Sequence, residues 1–329
     1  MALTRCIEYK ESVIAEAIAR QFTLLGGIER FVKRGDSVLL KPNFISPRPR
    51  HCATQTDPAI IIETAKLLKD FGARPFVGDS PAWGNVHACA KVLNLDVALK
   101  KVDVPIRQLN KPVKCRIAGV NVGISSLALD ADVIINLPKF KTHQQLVATF
   151  AVKNMFGCVS GKWKAYWHFA KGGPAPARPV CPQTGSNSAY AETSREKKFC
   201  ELLIEIYKRL NPALTIIDAV IAMDGPGPIR GRPRPLGWLI GGIEPIAIEY
   251  ACCKLIGLEP DKVPIIKAAR QLGFGCANPD NTEIVGDDFS QTVCTDFIPA
   301  ESIPIRFSLL HVCKSICKQA VLLAKSIKK

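Results

Sequence analysis

The sequence predicts an α/β protein in which a mostly parallel sheet is covered by helices and a long lid-like loop spans residues 171–198. First, short apolar runs typical of buried strands alternate with amphipathic runs typical of helices. Second, this alternation recurs along the chain, which favours parallel strands joined by helical crossovers. Third, a chain of 329 residues with 47% hydrophobic and 22% charged residues is ordinary for a globular protein with a large core.

The elements follow in order along the chain. In the first half, three strands are predicted, each followed by a helix: strands at 37–40, 75–78 and 133–137, and helices at 58–71, 87–93 and 145–156. In the second half, the same patterns predict a helix at 199–210 and strands at 214–220 and 236–240. A last helix is predicted at 245–256, because Pro245 suits the first turn of a helix.

The stretch 171–198 is rich in Pro, Gly and Ser and has no periodicity, which predicts a long loop. It separates an N-terminal α/β part at 1–170, which carries the basic site, from a smaller C-terminal α/β part at 199–329. The two parts form either separate domains or one continuous domain. The segment 306–329 is basic and amphipathic, which predicts a terminal helix that is either docked on the core or laid on a membrane surface.

The net charge of +15 is compatible with nucleic acid, anionic membranes or acidic small molecules as partners. We predict no secretory signal, because Glu8, Glu11 and Glu16 interrupt the N-terminal segment, and no transmembrane span. Thirteen cysteines without regular spacing indicate reduced thiols, and hence a cytoplasmic protein. The chain has no CxxCxxC run, so no iron–sulfur cluster is predicted within it.

Basic residues are concentrated in three stretches that contain no carboxylate, at 37–56, 133–191 and 225–243. Each resembles a transition from a strand to a loop, and loops at the carboxyl ends of parallel strands converge on one crevice. The three stretches together therefore predict one site for a small carboxylate or phosphate. Its predicted contacts are Lys41, Asn43, Lys139, Lys141, Thr142, Asn154 and Arg230.

Two residues of the long acid-free stretch are predicted to be catalytic. His143 follows a strand end, where a neutral imidazole could transfer protons, although a surface turn is the alternative. Lys153 lies among apolar neighbours that would lower its pKa and make it a nucleophile, or it points outward as an ordinary surface lysine.

The aromatic residues between 163 and 169 alternate with lysines, a pattern also found where single-stranded nucleic acid is bound. No recognised nucleic-acid motif accompanies them, so a cluster at the base of the lid is the favoured interpretation. Asp218 and Asp224 lie across a strand end and either bind a metal or pair with nearby arginines.

Several blocks of the sequence, in order, resemble a family known only as domain of unknown function 362. They are VLLKPN at 38–43, TDP at 56–58, GDS at 78–80, NLPKFKTH at 136–143 and VKNMFG at 152–157. Many members carry an added ferredoxin-like module, so the resemblance implies a separate ferredoxin-like redox partner for this chain. The family name implies no reaction.

A more distant resemblance is to the N-terminal domain of nickel-pincer lactate racemases. The spacing of His143, Lys153 and His168 is similar to that of the racemase's proton- or hydride-handling histidine, its cofactor-tethering lysine and a nickel-ligating histidine. The resemblance implies a covalent cofactor on Lys153 and a transition metal such as nickel on His168. The racemase's glycine pair is replaced here by Phe150–Ala151, and its second catalytic histidine has no match near Asp79.

The sequence therefore favours an enzyme with isomerase-like or redox chemistry that acts on a small anionic substrate or cofactor. Two other classes stay open at this point: a non-catalytic accessory of redox or iron–sulfur proteins, and a basic protein that binds nucleic acid.

Overall fold

The computed structural model describes residues 1–160, 194–276 and 282–300. In these ranges ten strands form one sheet, and β5 (Pro112–Ile117) and β6 (Val120–Ser125) form a separate hairpin. The strands of the large sheet are β1 (Ala2–Arg5), β2 (Ser37–Pro42), β3 (Arg74–Asp79), β4 (Ile106–Gln108), β7 (Val133–Leu137), β8 (Lys139–His143), β9 (Val147–Thr149), β10 (Leu214–Asp224), β11 (Arg232–Gly242) and β12 (Val285–Gly286).

The main path of the sheet has the order β12-β1-β11-β10-β7-β2-β3-β4. The pairs from β10 through β4 are all parallel, as are β12 with β1 and β8 with β10. Only β11, paired with β1 and β10, and the β8–β9 hairpin are antiparallel. The predicted class, a mostly parallel sheet covered by helices, is confirmed.

Helices cover both faces of the sheet. The described helices are α1 (Glu11–Leu24), α2 (Pro58–Phe71), α3 (Val86–Val92), α4 (Leu95–Lys101), α5 (Ser126–Leu129), α6 (Ala151–Asn154), α7 (Ser194–Leu210), α8 (Pro245–Leu255) and α9 (Pro264–Gln271). Side chains alternate along β2, so that Leu39 joins the core under α7 and α8 while Leu40 joins the core under α1 and α2. Because both faces of β2 are buried, the strand carries three consecutive apolar residues, Val38, Leu39 and Leu40.

The boundaries of α2 agree with those predicted from the sequence. Asp57 caps its first turn by accepting a hydrogen bond from the Ala59 amide, and Pro58 occupies the first helical position. Gly72 ends the helix in the left-handed conformation that glycine adopts without strain. The predicted strand at 133–137 is likewise found as β7.

The predicted helix at 145–156 is wrong. The chain instead forms the β8–β9 hairpin and then the short helix α6. Tertiary contacts outweigh the helical pattern, because Phe140 and Phe150 pack against each other with ring centroids 4.7 Å apart in the core. The residues 139–143, expected as a loop with a surface turn as the alternative, are a buried strand.

The predicted loop at 171–198 ends earlier than expected, because α7 begins at Ser194. Its residues 171–193, His168 and the basic segment 306–329 lie outside the described residues. One sheet unites the two predicted parts of the chain, since β7 pairs with β10 and β1 pairs with β11. Within the described ranges, none of the helices has both the length and the hydropathy required to cross a bilayer.

Candidate functional site

The candidate site is built on β8, which extends the line of β7 beyond Pro138. The strand β2 pairs with β7 only as far as Pro42 and Leu137, so β8 projects past the end of β2 and lies beside β10. Side chains alternate along a strand, so Lys139, Lys141 and His143 share one face of β8. Phe140 on the other face packs into the core.

Two of the buried lysines are neutralised by carboxylates. Lys41 Nζ lies 3.0 Å from Asp79 Oδ1, and Lys139 Nζ lies 2.8 Å from Asp218 Oδ2. The hydroxyl of Tyr9 donates to Asp218 Oδ1 at 2.7 Å and accepts from Lys139 at 2.7 Å. Burial, followed by the charge of Asp218, raises the pKa of Tyr9 well above its usual value. Both lysines are therefore held in completed structural pairs.

Lys141 differs from these two lysines. It is 2% exposed, and no carboxylate in the described parts of the chain lies within 4.0 Å of its ammonium. It donates instead to the Asn43 side-chain oxygen and, at 2.6 Å, to the Thr54 carbonyl. Burial lowers the pKa of Lys141 well below its usual value, and the neighbouring charge of Lys153 lowers it further. A negative charge brought to this point would restore the ammonium form.

Three asparagines hold the end of β2 against β7 and α6. Asn43 Nδ2 donates to Asn154 Oδ1 at 2.7 Å, and Asn154 Nδ2 donates to Asn136 Oδ1 at 2.7 Å. Asn154 also donates to the Lys41 carbonyl at 3.1 Å. Because Asn43 accepts from Lys141, this chain of amides connects Lys141 to the helix that carries Lys153.

Buried polar side chains near Lys141 and His143 include three without hydrogen-bond partners among the described residues. Thr149 lies directly opposite Lys141 in the β8–β9 pair, so the two side chains are on the same face. The hydroxyl oxygens of Thr149 and Thr54 are buried and have no hydrogen-bond partner among the described residues, and neither does the Gln145 side-chain oxygen. Buried polar groups are normally satisfied, so these atoms are suited to a bound molecule or water.

His143 ends β8 and is 5% exposed. Its Nδ1 accepts a hydrogen bond from the Gln145 amide at 3.1 Å, so in the neutral ring the proton is on Nε2. The Thr142 hydroxyl donates to the Gly225 carbonyl at 2.8 Å and so ties β8 to the β10–β11 loop. Arg230 is exposed on that loop, and in the described structure no hydrogen bond or ion pair joins it to the other predicted residues.

Glu249, which the sequence did not single out, supports the helix that carries Lys153. Its Oε1 accepts from the Val152 amide at 3.0 Å. Burial raises the pKa of Glu249 to about 8. Glu249 lies in a buried helix, three residues after Ile246. An acidic residue on an otherwise apolar helix is costly to bury without a partner, and this sequence pattern could have indicated its role. Asp79, the last residue of β3, is the partner of Lys41.

A cavity of about 470 Å³ lies beside β8. Of the residues predicted for the site, it is lined by Lys139 but not by Lys41, Lys141, His143 or Lys153. Its walls are Tyr9, Pro49, Arg50, His51, Ala53, Gln55, Thr56, Asp57, Pro58, Leu93, Lys139, Ile221 and Pro233. The cavity is therefore separate from the surroundings of Lys141.

The metal predicted at His168 falls outside the described residues. Within 1–160, 194–276 and 282–300, no group of three or more His, Cys, Asp and Glu side chains is arranged to hold a metal ion. Asp224 pairs with Arg232 at 3.2 Å, which is the predicted alternative of pairing with a nearby arginine. Asp218 pairs with Lys139 and not with one of the predicted arginines.

Among solved structures, the lactate racemase apoprotein of Thermoanaerobacterium thermosaccharolyticum matches 74% of this chain at 13% identity, with a TM-score of 0.45. A structural-genomics protein from Thermotoga maritima also matches 74% of the chain, at 12% identity and a TM-score of 0.42. The chain spans 54% and 58% of their lengths. At these TM-scores, neither likeness indicates anything about the chemistry of this chain.

A relative in sequence is the thylakoid-associated protein sll1697 of Synechocystis sp. (strain ATCC 27184 / PCC 6803 / Kazusa). The two are 33% identical over 322 residues, which is 97% of this chain and 93% of the relative. The model of the domain of unknown function DUF362 matches residues 38–254, which include Lys41, β8, Lys153 and Glu249. On both grounds, this chain belongs to the DUF362 family.

Proposed function

We propose that this chain is an enzyme that binds a small carboxylate or phosphate on the face of β8 formed by Lys141 and His143. The observation that carries the proposal is the buried Lys141 amino group, which has no carboxylate within 4.0 Å in the described structure although Lys41 and Lys139 each have one, so that its charged form lacks a counter-charge there. An uncompensated buried charge is costly unless a ligand neutralises it. An anionic substrate would do so.

The surroundings of Lys141 supply further contacts for such a ligand. The hydroxyls of Thr54 and Thr149 have no hydrogen-bond partner among the described residues, and a hydroxyl can donate to an anionic oxygen. Asn43 and Asn154 hold the opposite wall through their mutual hydrogen bond. Lys153 adds a second positive charge close enough to lower the pKa of Lys141. Two cations and two hydroxyl donors suit a carboxylate or phosphate better than a neutral molecule.

In this proposal His143 is the acid–base residue. The hydrogen bond from the Gln145 amide to Nδ1 orients the ring, and in this proposal Nε2 exchanges a proton with the substrate. Lys153 holds the anionic group by charge, or forms a covalent bond with a cofactor as the resemblance to the racemases implies. The reaction is then a proton transfer next to the bound anion, of the kind that isomerases and racemases perform.

The anion site can be tested by the effect of inorganic phosphate on the melting temperature. Phosphate should raise it for the natural chain through preferential binding to the folded state. The variant Lys141→Met should abolish that increase, whereas Lys91→Met, a change at an exposed lysine of α3, should leave it intact. An increase that survives in Lys141→Met would contradict the proposal.

The covalent-cofactor part of the proposal has its own test. Intact mass and elemental analysis of protein purified without oxygen should reveal an added mass on Lys153 and a bound transition metal. A Lys153→Arg variant keeps the charge but cannot form the bond, so it should lose the added mass and retain phosphate binding. Unmodified Lys153 in such a preparation would leave the anion site as the sole basis of the function.

The alternative function is that of an accessory protein without catalysis, working with a ferredoxin-like redox partner, and the basic surface also allows nucleic acid. Binding of single-stranded nucleic acid with a steep dependence on salt would favour the nucleic-acid-binding function.

We further propose a cytoplasmic location with attachment to an anionic membrane surface, supported by the net charge of +15 and by the thylakoid association in the relative's name. Recovery in a salt wash of membranes tests this.

A further inference from the structure

One edge of the large sheet is basic and exposed. The strand β4 pairs only with β3 in the described structure, so it ends the sheet on that side. The helix α3 packs against both α4 and β4, and β4 leads directly into the hairpin of β5 and β6. Residues 87–119, which we call the basic edge, contain two acids and seven lysines and arginines. These seven are all exposed: Lys91, Lys100, Lys101, Arg107, Lys111, Lys114 and Arg116.

No carboxylate neutralises these seven side chains. None of them has an acidic side chain within 4.0 Å in the described parts of the chain. Asp103, one of the two acids of the basic edge, pairs with Lys69 of α2 instead. The stretch 20–52 has equally many lysines and arginines, but three of them are paired with carboxylates, namely Arg20, Lys41 and Arg50. The basic edge therefore leaves a positive field in the solvent.

The opposite edge of the sheet does not carry this charge. It is formed by β12, which lies in the segment 282–300. That segment contains four acids and no lysine or arginine. Two of the acids, Asp287 and Asp296, are paired with arginines from other segments. This asymmetry would turn the molecule with its basic edge towards an anionic surface.

Exposed aliphatic side chains lie among the charges of the basic edge. Val92 of α3, Val97 of α4 and Val113 of β5 are 43%, 57% and 44% exposed. Val97 precedes Lys100 and Lys101 by three and four residues in α4, so these side chains share one face of the helix. Charges can protect an edge strand from pairing with another chain, but that role does not require exposed valines beside them. Lysines next to exposed aliphatic groups are typical of surfaces that contact lipid.

The composition of the basic edge favours lipid over nucleic acid or protein. It contains no Phe, Tyr or Trp, whereas proteins hold single-stranded nucleic acid by stacking bases on aromatic side chains. Protein interfaces are enriched in aromatic residues and depleted in lysine, and five of the seven basic residues here are lysines. A lysine is attracted to lipid phosphates as a point charge and needs no fixed geometry.

We propose that the basic edge is the surface by which this protein attaches to an anionic membrane, with its lysines at the lipid phosphates and Val97 and Val113 between the headgroups. The inference rests on the membrane attachment proposed above and assigns it to one surface. Lys141 lies on β8 beside β10, and the strands β7, β2 and β3 stand between β10 and β4. Attachment at the basic edge therefore leaves the anion site uncovered.

The test is sedimentation of the full chain with lipid vesicles. Vesicles of phosphatidylglycerol mixed with phosphatidylcholine should bind the chain, increasingly weakly as salt is added, and vesicles of phosphatidylcholine alone should not. The double variant Lys100→Gln with Lys101→Gln should bind the anionic vesicles at least about tenfold more weakly. Its matched control, Lys10→Gln with Lys262→Gln, removes two exposed lysines from other segments. The control changes the net charge equally and should weaken binding by less than about twofold.

The contribution of the valines has a separate pair of variants. Val97→Ser removes an aliphatic side chain from the basic edge and should weaken vesicle binding about fivefold. Ile284→Ser is the control, because Ile284 is 51% exposed near the opposite edge of the sheet and should not contact lipid. All four variants change exposed side chains, and each should keep the increase in melting temperature that phosphate gives the natural chain.

Three results would overturn the inference. Equal weakening by the two lysine pairs would mean that net charge alone holds the protein on the membrane, so the attachment would stand and the basic edge would not. No binding of the natural chain to anionic vesicles would overturn the attachment as well. Tighter binding to a single-stranded oligonucleotide than to these vesicles would assign the basic edge to nucleic acid.

Discussion

The carboxyl group of Glu249 in α8 accepts a hydrogen bond from the Val152 amide at the start of α6, at 3.0 Å. The first amides of a helix have no partner within the helix, so Glu249 satisfies a donor that would otherwise be buried and unpaired. It thereby fixes α6, and with it Lys153 and Asn154, against the sheet. A single buried acid outside the predicted site residues thus sets the position of two of them.

The variant Glu249→Ala should lower the free energy of unfolding by about 1–3 kcal/mol, because the Val152 amide is left buried without an acceptor. Glu249→Gln retains an accepting oxygen, so its free energy of unfolding should fall much less. Urea denaturation at pH 5 measures both variants under conditions where the natural carboxyl is also uncharged in the folded state. Equal losses in the two variants would mean that packing, and not the hydrogen bond, is what Glu249 provides.

The pH dependence of stability gives a second prediction about Glu249. Burial raises its pKa from 4.5 to about 8 in the folded chain. Between these pH values the folded state holds a proton that the unfolded state has released, so its contribution to stability falls as the pH rises from 4.5 to 8. In Glu249→Gln this decline should be absent. The difference between the two unfolding free energies should therefore change across that window; a constant difference would show that the pKa is not raised.

Gly157 lies against the Lys41–Asp79 ion pair. A Cβ atom at this position would stand 2.5 Å from Asp79 Oδ1 and would also collide with the Lys41 ammonium. Gly157→Ala should therefore force this buried pair apart and cost about 3–5 kcal/mol, the usual penalty for breaking one. Gly242→Ala is the matched control, since its Cβ would meet Ile248 at an ordinary 3.4 Å. If both variants lose a similar, small amount of unfolding free energy, then Gly157 is not in tight contact with the Lys41–Asp79 pair.

The sequence predicted α2 and β7 well because their signals are local: a capping aspartate, a first-turn proline and a closing glycine for α2, and an apolar run for β7. It failed at 145–156, where pairing with β8 and packing of Phe150 override a helical pattern. The acid-free stretch did locate Lys139 and Lys141. It could not reveal that Asp218, far away in sequence, neutralises only Lys139, because that depends on the register of β8 against β10.

Lys141 should make stability rise with pH. Its folded pKa is well below its usual 10.5, so between the two values the unfolded state binds a proton that the folded state does not. Stability contributed by this group therefore increases as the pH rises towards 10.5. In Lys141→Met this increase should disappear. Comparing the two proteins by urea denaturation at pH 8, 9 and 10 isolates the effect from other groups, and parallel pH profiles would show that Lys141 titrates normally.

The last prediction concerns the Tyr9 hydroxyl, which joins the segment between β1 and α1 to the strands β8 and β10. It donates to Asp218 on β10 at 2.7 Å, and it accepts from Lys139 on β8 at 2.7 Å and from the Ile221 amide at 3.1 Å. Tyr9→Phe removes all three bonds and leaves the buried Lys139–Asp218 pair less well satisfied. The free energy of unfolding should fall by about 1–3 kcal/mol.

Tyr250→Phe is the matched control for this change. The Tyr250 hydroxyl accepts one exposed hydrogen bond from Arg270 at 2.7 Å, so its loss should change the free energy of unfolding by no more than about 0.5 kcal/mol. Urea denaturation at pH 7 measures both variants. If Tyr9→Phe is as mild as the control, then the Lys139–Asp218 pair does not require the hydroxyl, and Tyr9 contributes only its ring to the wall of the cavity.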